Sequence, residues 1–95
     1  MNDIQEQIQE SRETIDKIDQ VITALIAERY KVADSINLMK EYEGEDVRDV
    51  GRVEEVLDHV ASVAEERGID PQAARRIYRQ VVMSCTDRQK DQRSE

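Results

Sequence analysis

Ninety-five residues carrying 22 acids against 14 Lys and Arg, for a formal net charge of −8, describe one small and strongly acidic domain. Such a charge repels phosphate backbones and anionic bilayers, which argues against nucleic-acid binding and a membrane-surface role. With no Phe or Trp, three Tyr, three Gly and a single Pro, the chain has an aliphatic core and too few breakers for a β-rich fold, so an all-α protein is expected.

From Ile4 onward, Ile4, Ile8, Ser11, Ile15, Ile18, Ile22, Leu25, Arg29, Val32, Ile36 and Met39 recur at alternating steps of three and four. That spacing lays one stripe along a helix running from about Asp3 to Met39–Tyr42. At 1.5 Å per residue it spans roughly 55–60 Å, whereas a compact domain of this size has a radius of gyration of only about 13 Å. A helix so long leaves its Ile stripe wet in a monomer, and a second copy packed alongside covers it, so an intertwined homodimer is expected. Arg29 interrupts the stripe. Its guanidinium stays charged, and burying it costs several kcal/mol unless an anion meets it. That anion is either an acid of the chain, such as Asp34 or Glu54, or a ligand. Lys40 follows eleven residues later at nearly the same angle, and two cations on the packing side suggest an anion pocket. Arg12 lies beside the stripe, where periodicity favours a solvated side chain paired with Glu13 or Asp16.

Glu41 to Arg48 breaks the period with Gly44 and a cluster of acids, and reads as a loop. Asp49 is placed to cap a second helix, whose apolar face is Val50, Val53, Leu57, Val60 and Ala64, with Val56 and Val63 beside it. Arg52 stands on its first turn, where a solvated ion pair is the ordinary reading. Gly68 suits the position just past the helix end, and Asp70-Pro71 is a strong start signal for a third helix carrying Ala74, Ile77, Tyr78, Val81, Val82 and Cys85. Gln89 extends the Val82–Cys85 face and is either a terminal polar residue or part of a site. From Thr86 on nearly every residue is polar. Residues 1–90 read as one helical domain and 91–95 as a frayed polar tail.

Little conventional chemistry is on offer. His59 is the single histidine and Cys85 the single cysteine. A catalytic triad and a metal cage are both out of reach, and no Gly-rich phosphate loop occurs. His59 reads as a boundary residue and Cys85 as a small buried side chain. The N-terminal Met-Asn-Asp-Ile-Gln-Glu has neither a basic nor an apolar signal region, and no stretch reaches the length of a membrane span. A cytoplasmic protein is expected.

Taken together, Ser-Arg-Glu-Thr-Ile-Asp-Lys-Ile-Asp from Ser11, Leu-Ile-Ala-Glu-Arg from Leu25, Val-Arg-Asp-Val-Gly-Arg from Val47 and Gly-Ile-Asp-Pro from Gly68 resemble the all-helical, AroQ-type chorismate mutases over nearly the full chain. The resemblance implies an intertwined homodimer with one long and two shorter helices per chain, no cofactor, no metal, and a small dicarboxylate substrate. It also implies a place in the phenylalanine and tyrosine branch of the shikimate pathway, and from the short single-domain chain no fused dehydratase, dehydrogenase or regulatory domain is expected. By position, Arg12 would reach into the partner's site to grip one carboxylate and Arg29 would bind the other. Lys40 and Gln89 would donate to the ether oxygen, making them the catalytic pair. Asp49 would lie near the ring hydroxyl, Arg52 would help hold a carboxylate, and Cys85 would form part of the wall, where many relatives have Ser.

Val53 departs from the pattern. Many chorismate mutases have Glu there, in contact with the ring hydroxyl. An apolar residue at that place resembles two sister activities on the same fold, isochorismate–pyruvate lyase and aminodeoxychorismate mutase, whereas Asp49 argues for chorismate. The alternative from another class is a non-catalytic helical dimerisation module.

Overall fold

The computed structural model describes residues 2–46 and 49–93; Val47 and Arg48, expected as the end of the acidic loop, lie outside them, as do Ser94 and Glu95 of the expected polar tail. Helix α1 spans Asn2–Tyr42, α2 spans Val50–Glu66 and α3 spans Pro71–Arg93, with no strand among the described residues. The all-α expectation holds, and the chain divides into two compact units, residues 1–32 and 33–95.

The first unit is helix alone. No Gly or Pro occurs between Met1 and Tyr42, and the Ile, Leu, Ala, Glu, Gln and Lys that fill it lose little on entering a helix. Thr14 and Thr23 turn their hydroxyls back onto the Glu10 and Asp19 carbonyls, at 3.0 and 2.8 Å. The stripe is exposed within the chain: Ile4, Ile8, Ile15, Ile18, Ile22 and Leu25 are all between 47% and 65% accessible. A run of that length is far beyond the scattered apolar residues normal on a protein surface.

In the second unit both of the first two helices end in the same way. Gly44 takes a φ of +77° and Gly68 one of +73°, the left-handed conformation that glycine adopts without a Cβ clash. At the first, Glu45 N–H donates to the Lys40 carbonyl and Gly44 N–H to that of Glu41. At the second, Ile69 N–H donates to Ala64 and Gly68 N–H to Glu65. These paired bonds form the Schellman closure, which satisfies the last carbonyls of each helix. Gly44, read from sequence as a loop breaker, is thus a helix stop. Asp49 caps α2, its Oδ1 accepting from Arg52 N–H at 3.1 Å. Asp70 accepts from Gln72 N–H at 3.2 Å and starts α3 at Pro71.

The short turn between them folds α2 and α3 into an antiparallel hairpin. Its core is small and aliphatic, built from Leu57, Ala61, Ala64, Ala74, Val82 and Cys85. Three expectations change: Val50, expected on the apolar face of α2, is 63% exposed on its first turn, and two further residues differ. Ala61 is buried although it lies off the expected α2 face, and Ile77 is 66% exposed, because the buried face of α3 runs through Ala74, Tyr78, Val82 and Cys85 instead. An Arg75–Asp58 ion pair at 2.7 Å ties the hairpin at its turn end.

The last turns of α1 present an unexpected face within this unit. Ala33, Asp34 and Lys40 are half-buried and Asn37 is fully buried, whereas Ile36, Leu38 and Met39 are exposed. Ala33, Asn37 and Lys40 share one side of the helix. Two long-range contacts hold this side to α3. Arg88 grips the Asp34 carboxylate with Nε and Nη2 at 3.0–3.2 Å, and Gln89 Nε2 donates to the Ala33 carbonyl at 2.8 Å. The hydrogen bond from Arg88 holds Asp34 below the ordinary carboxylate range despite the opposing effect of partial burial, and the Arg88 charge and a hydrogen bond from Gln92 add to it.

A depressed carboxylate contributes stability that is present above its unfolded value of about pH 3.9 and is lost as pH falls through the lower folded-state value. Arg88→Met should therefore lower Tm at pH 7, and its difference from wild type should shrink between pH 7 and an acid pH below about 3.9, measured by thermal melts in circular dichroism. An unchanged gap at both pH values would show that the pair contributes nothing to the docking of α1.

Candidate functional site

The basic residues singled out from sequence fall in both units. Arg12 and Arg29 belong to residues 1–32, where Arg12 is exposed and Arg29 half-buried. Asp34, one of the acids considered as a partner for Arg29, is held by Arg88. Lys40, Asp49, Arg52, Val53, Cys85 and Gln89 belong to residues 33–95.

Lys40 sits on the last turn of α1, three residues before the helix cap, half-buried on the side that faces α3. A cation there also suits the negative end of the helix dipole. The Schellman closure fixes its backbone, since the Lys40 carbonyl accepts the Glu45 N–H at 2.7 Å. Gln89 is half-buried on α3, oriented by its bond to Ala33. An amide nitrogen has two N–H groups, so this bond orients the side chain while leaving a second donor on the same nitrogen. Cys85, one turn earlier, is buried, as its place on the α3 stripe suggested.

Asp49 and Arg52 are more exposed. Besides taking the Arg52 N–H, Asp49 opens the first turn of α2, while the Arg52 guanidinium reaches Glu55 at 3.3 Å with both side chains about 70% exposed. That is the solvated ion pair the sequence suggests, and such pairs contribute little. Arg52 is therefore held loosely enough to be redirected by an anion. Val53, half-buried on the next position, faces a groove of about 230 Å³ between α2 and α3, with Leu57, Val82 and Thr86. His59 is exposed, and no group of three or more potential metal ligands occurs among the described residues.

Sequence reasoning missed Asn37 and Thr86. Asn37 is the buried polar side chain of α1, one turn before Lys40. Its neighbour Ile36 fits the apolar stripe, so a rule that places apolar residues inside selects the wrong one of the two. Thr86 opens the polar end of α3, and nothing in its spacing separates a groove-lining hydroxyl from a solvated one.

The chorismate mutase type II family model matches residues 11–90. The chain belongs to that family. No curated protein and no solved structure matches it.

Replacing Gln89 by Glu turns a carboxylate toward the Ala33 carbonyl. The two oxygens repel, so the folded-state pKa of the new acid rises, and the penalty is absent below about pH 4.3 and full above the raised value. Gln89→Glu should lower stability by about 1 kcal/mol at pH 7 and approach wild type near pH 4 in chemical denaturation. A constant deficit across that range would mean the Gln89–Ala33 bond is not what the substitution removes.

Proposed function

We propose that this member of the chorismate mutase type II family rearranges chorismate to prephenate by a [3,3] pericyclic shift, as a cytoplasmic homodimer serving phenylalanine and tyrosine synthesis. The observation that carries the reading is the extent of the family match: residues 11–90 include every candidate from Arg12 to Gln89.

The reaction breaks a C–O bond and forms a C–C bond within one molecule, with no nucleophile, metal or proton transfer required. An enzyme contributes by folding the extended dianion into its compact chair and by stabilising the negative charge that grows on the ether oxygen. Arg12 of one chain and Arg29 of the other are assigned the two carboxylates, with Arg52 assisting. Lys40 and Gln89 are assigned the ether oxygen, where a preorganised donor is typically worth about 3–4 kcal/mol of barrier. Asp49 is assigned the ring hydroxyl, and Val53 and Cys85 the wall. The orienting bond to Ala33 and the second N–H of Gln89 fit such a role. So does Lys40, whose backbone is pinned at both the helix and its closure. Few focused cations on a protein of net charge −8 suit capture of a small dianion rather than a polyanion.

The exposed stripe from Ile4 to Leu25 supports the homodimer, since a second copy of the same helix would cover it. Val53 favours a second reading on the same site, isochorismate–pyruvate lyase or aminodeoxychorismate mutase, because an apolar residue stands where many chorismate mutases have Glu.

Complementation tests the assignment. Arg12→Ala and Lys40→Ala should each abolish turnover of chorismate while the dimer survives in analytical ultracentrifugation. If Arg12 acts across the dimer, mixing the two inactive proteins under subunit exchange should restore about a quarter of the wild-type rate, because one site in each mixed dimer is intact. No recovery, with mixed dimers demonstrated by mass, would place Arg12 outside the partner's site. Full activity in either single variant would remove that residue from the site, and no turnover by the wild-type protein would favour a non-catalytic dimerisation module.

A further inference from the structure

Bonds from α3 reach the end of α1 at two neighbouring positions, and they constrain it unequally. Gln89 Nε2 donates to the Ala33 carbonyl at 2.8 Å. One hydrogen bond fixes a distance, and the amide plane can still turn about it. Arg88, the residue before Gln89, donates from Nε to both Asp34 oxygens at 3.2 Å and from Nη2 to Oδ2 at 3.0 Å. A planar guanidinium on a planar carboxylate fixes direction as well as distance. Asp34 in turn follows Ala33 on α1. The clasp therefore sets the rotation and the height of α3 against α1 at the place where Gln89 reaches across. Its contribution to stability is modest, because the Arg88 side chain is 48% exposed and that of Asp34 23%. A geometric effect of the clasp is thus separable from folding.

From this we infer that Asp34 and Arg88 are positioning residues for Gln89, whose second N–H they keep aimed at the ether oxygen of the substrate. The inference rests on the proposed mutase reading and deepens it, adding two residues that act through the one assigned to that oxygen. A donor stabilises charge developing in the transition state only while it stays in place. Loosening the clasp therefore costs rate rather than affinity. Arg88 is a cation, and direct attraction of the dianionic substrate is the competing role. The Asp34 carboxylate opposes it by neutralising the guanidinium that it holds.

The test is a double-mutant cycle on chorismate turnover, run at high enzyme concentration and well below the lowest Tm of the set. Arg88→Met and Asp34→Ala should each lower kcat about ten-fold or more, with KM within about two-fold of wild type. In a Gln89→Ala background neither should lower kcat further, because the residue they act through is gone. Arg88→Lys keeps the charge but gives up the fork, and should recover only a minor part of the loss. If thermal melts show Arg88→Met or Asp34→Ala unfolded, Arg88→Lys and Asp34→Asn carry the same cycle. Wild-type kinetics in the clasp variants, or an equal loss of kcat with and without Gln89, would overturn the inference and leave the mutase reading standing. So would a raised KM at unchanged kcat that Arg88→Lys restores, since Arg88 would then contact the anion itself. Failure of the wild-type protein to turn over chorismate would instead overturn the parent reading, and with it this one.

Discussion

The second unit depends on a polar seam between the end of α1 and α3. Arg88 clasps Asp34 and Gln89 reaches the Ala33 carbonyl, two adjacent contacts separated in sequence by more than fifty residues. A helix end held by directional bonds is fixed in rotation as well as position. A purely apolar contact, being non-directional, would fix it less well. The consequence reaches Lys40, which lies two turns beyond Ala33 on the same side, with its carbonyl locked by the Gly44 closure. Electrostatic catalysis requires donors that stay put while charge develops. In the proposed mechanism that rigidity comes from the seam, whose contacts orient Gln89 directly.

Polar docking also frees the apolar residues of α1 for another purpose. Ile36, Leu38 and Met39 are exposed in the second unit, and the Ile and Leu stripe is exposed in the first. The hairpin core is made of small residues with Leu57 as its largest fully buried side chain. So small a core offers limited burial for a domain of this length. Most of the large aliphatic side chains among the described residues are therefore unburied within one copy, which supports the proposed homodimer.

Elements were legible wherever local chemistry fixes them. Asp49, Gly68 and Asp70-Pro71 marked helix ends because capping and left-handed φ are decided by one or two residues. The long α1 followed from its unbroken period. What periodicity could not give was which side of α1 meets its own chain. The 3–4 stripe belongs to Ile36 and Met39, yet Asn37 is the buried residue. The Asp34–Arg88 pair carries no local signal, since either side chain alone reads as a solvated charge. The site divides in the same way. The partial burial of Lys40 and Gln89 and the burial of Cys85 were legible from position and face, while their roles are proposed. The place of Thr86 on a groove was not legible, because the packing of α2 on α3 creates that groove.

Product analysis on purified protein tests the central claim most directly. Chorismate, isochorismate and aminodeoxychorismate are each incubated with the enzyme, and the products are identified by mass and ultraviolet spectrum. The account predicts prephenate from chorismate, with the other two turned over poorly or not at all. Salicylate and pyruvate from isochorismate, or turnover confined to the amino substrate, would contradict the substrate assignment. Absence of any product from all three would contradict the catalytic reading itself.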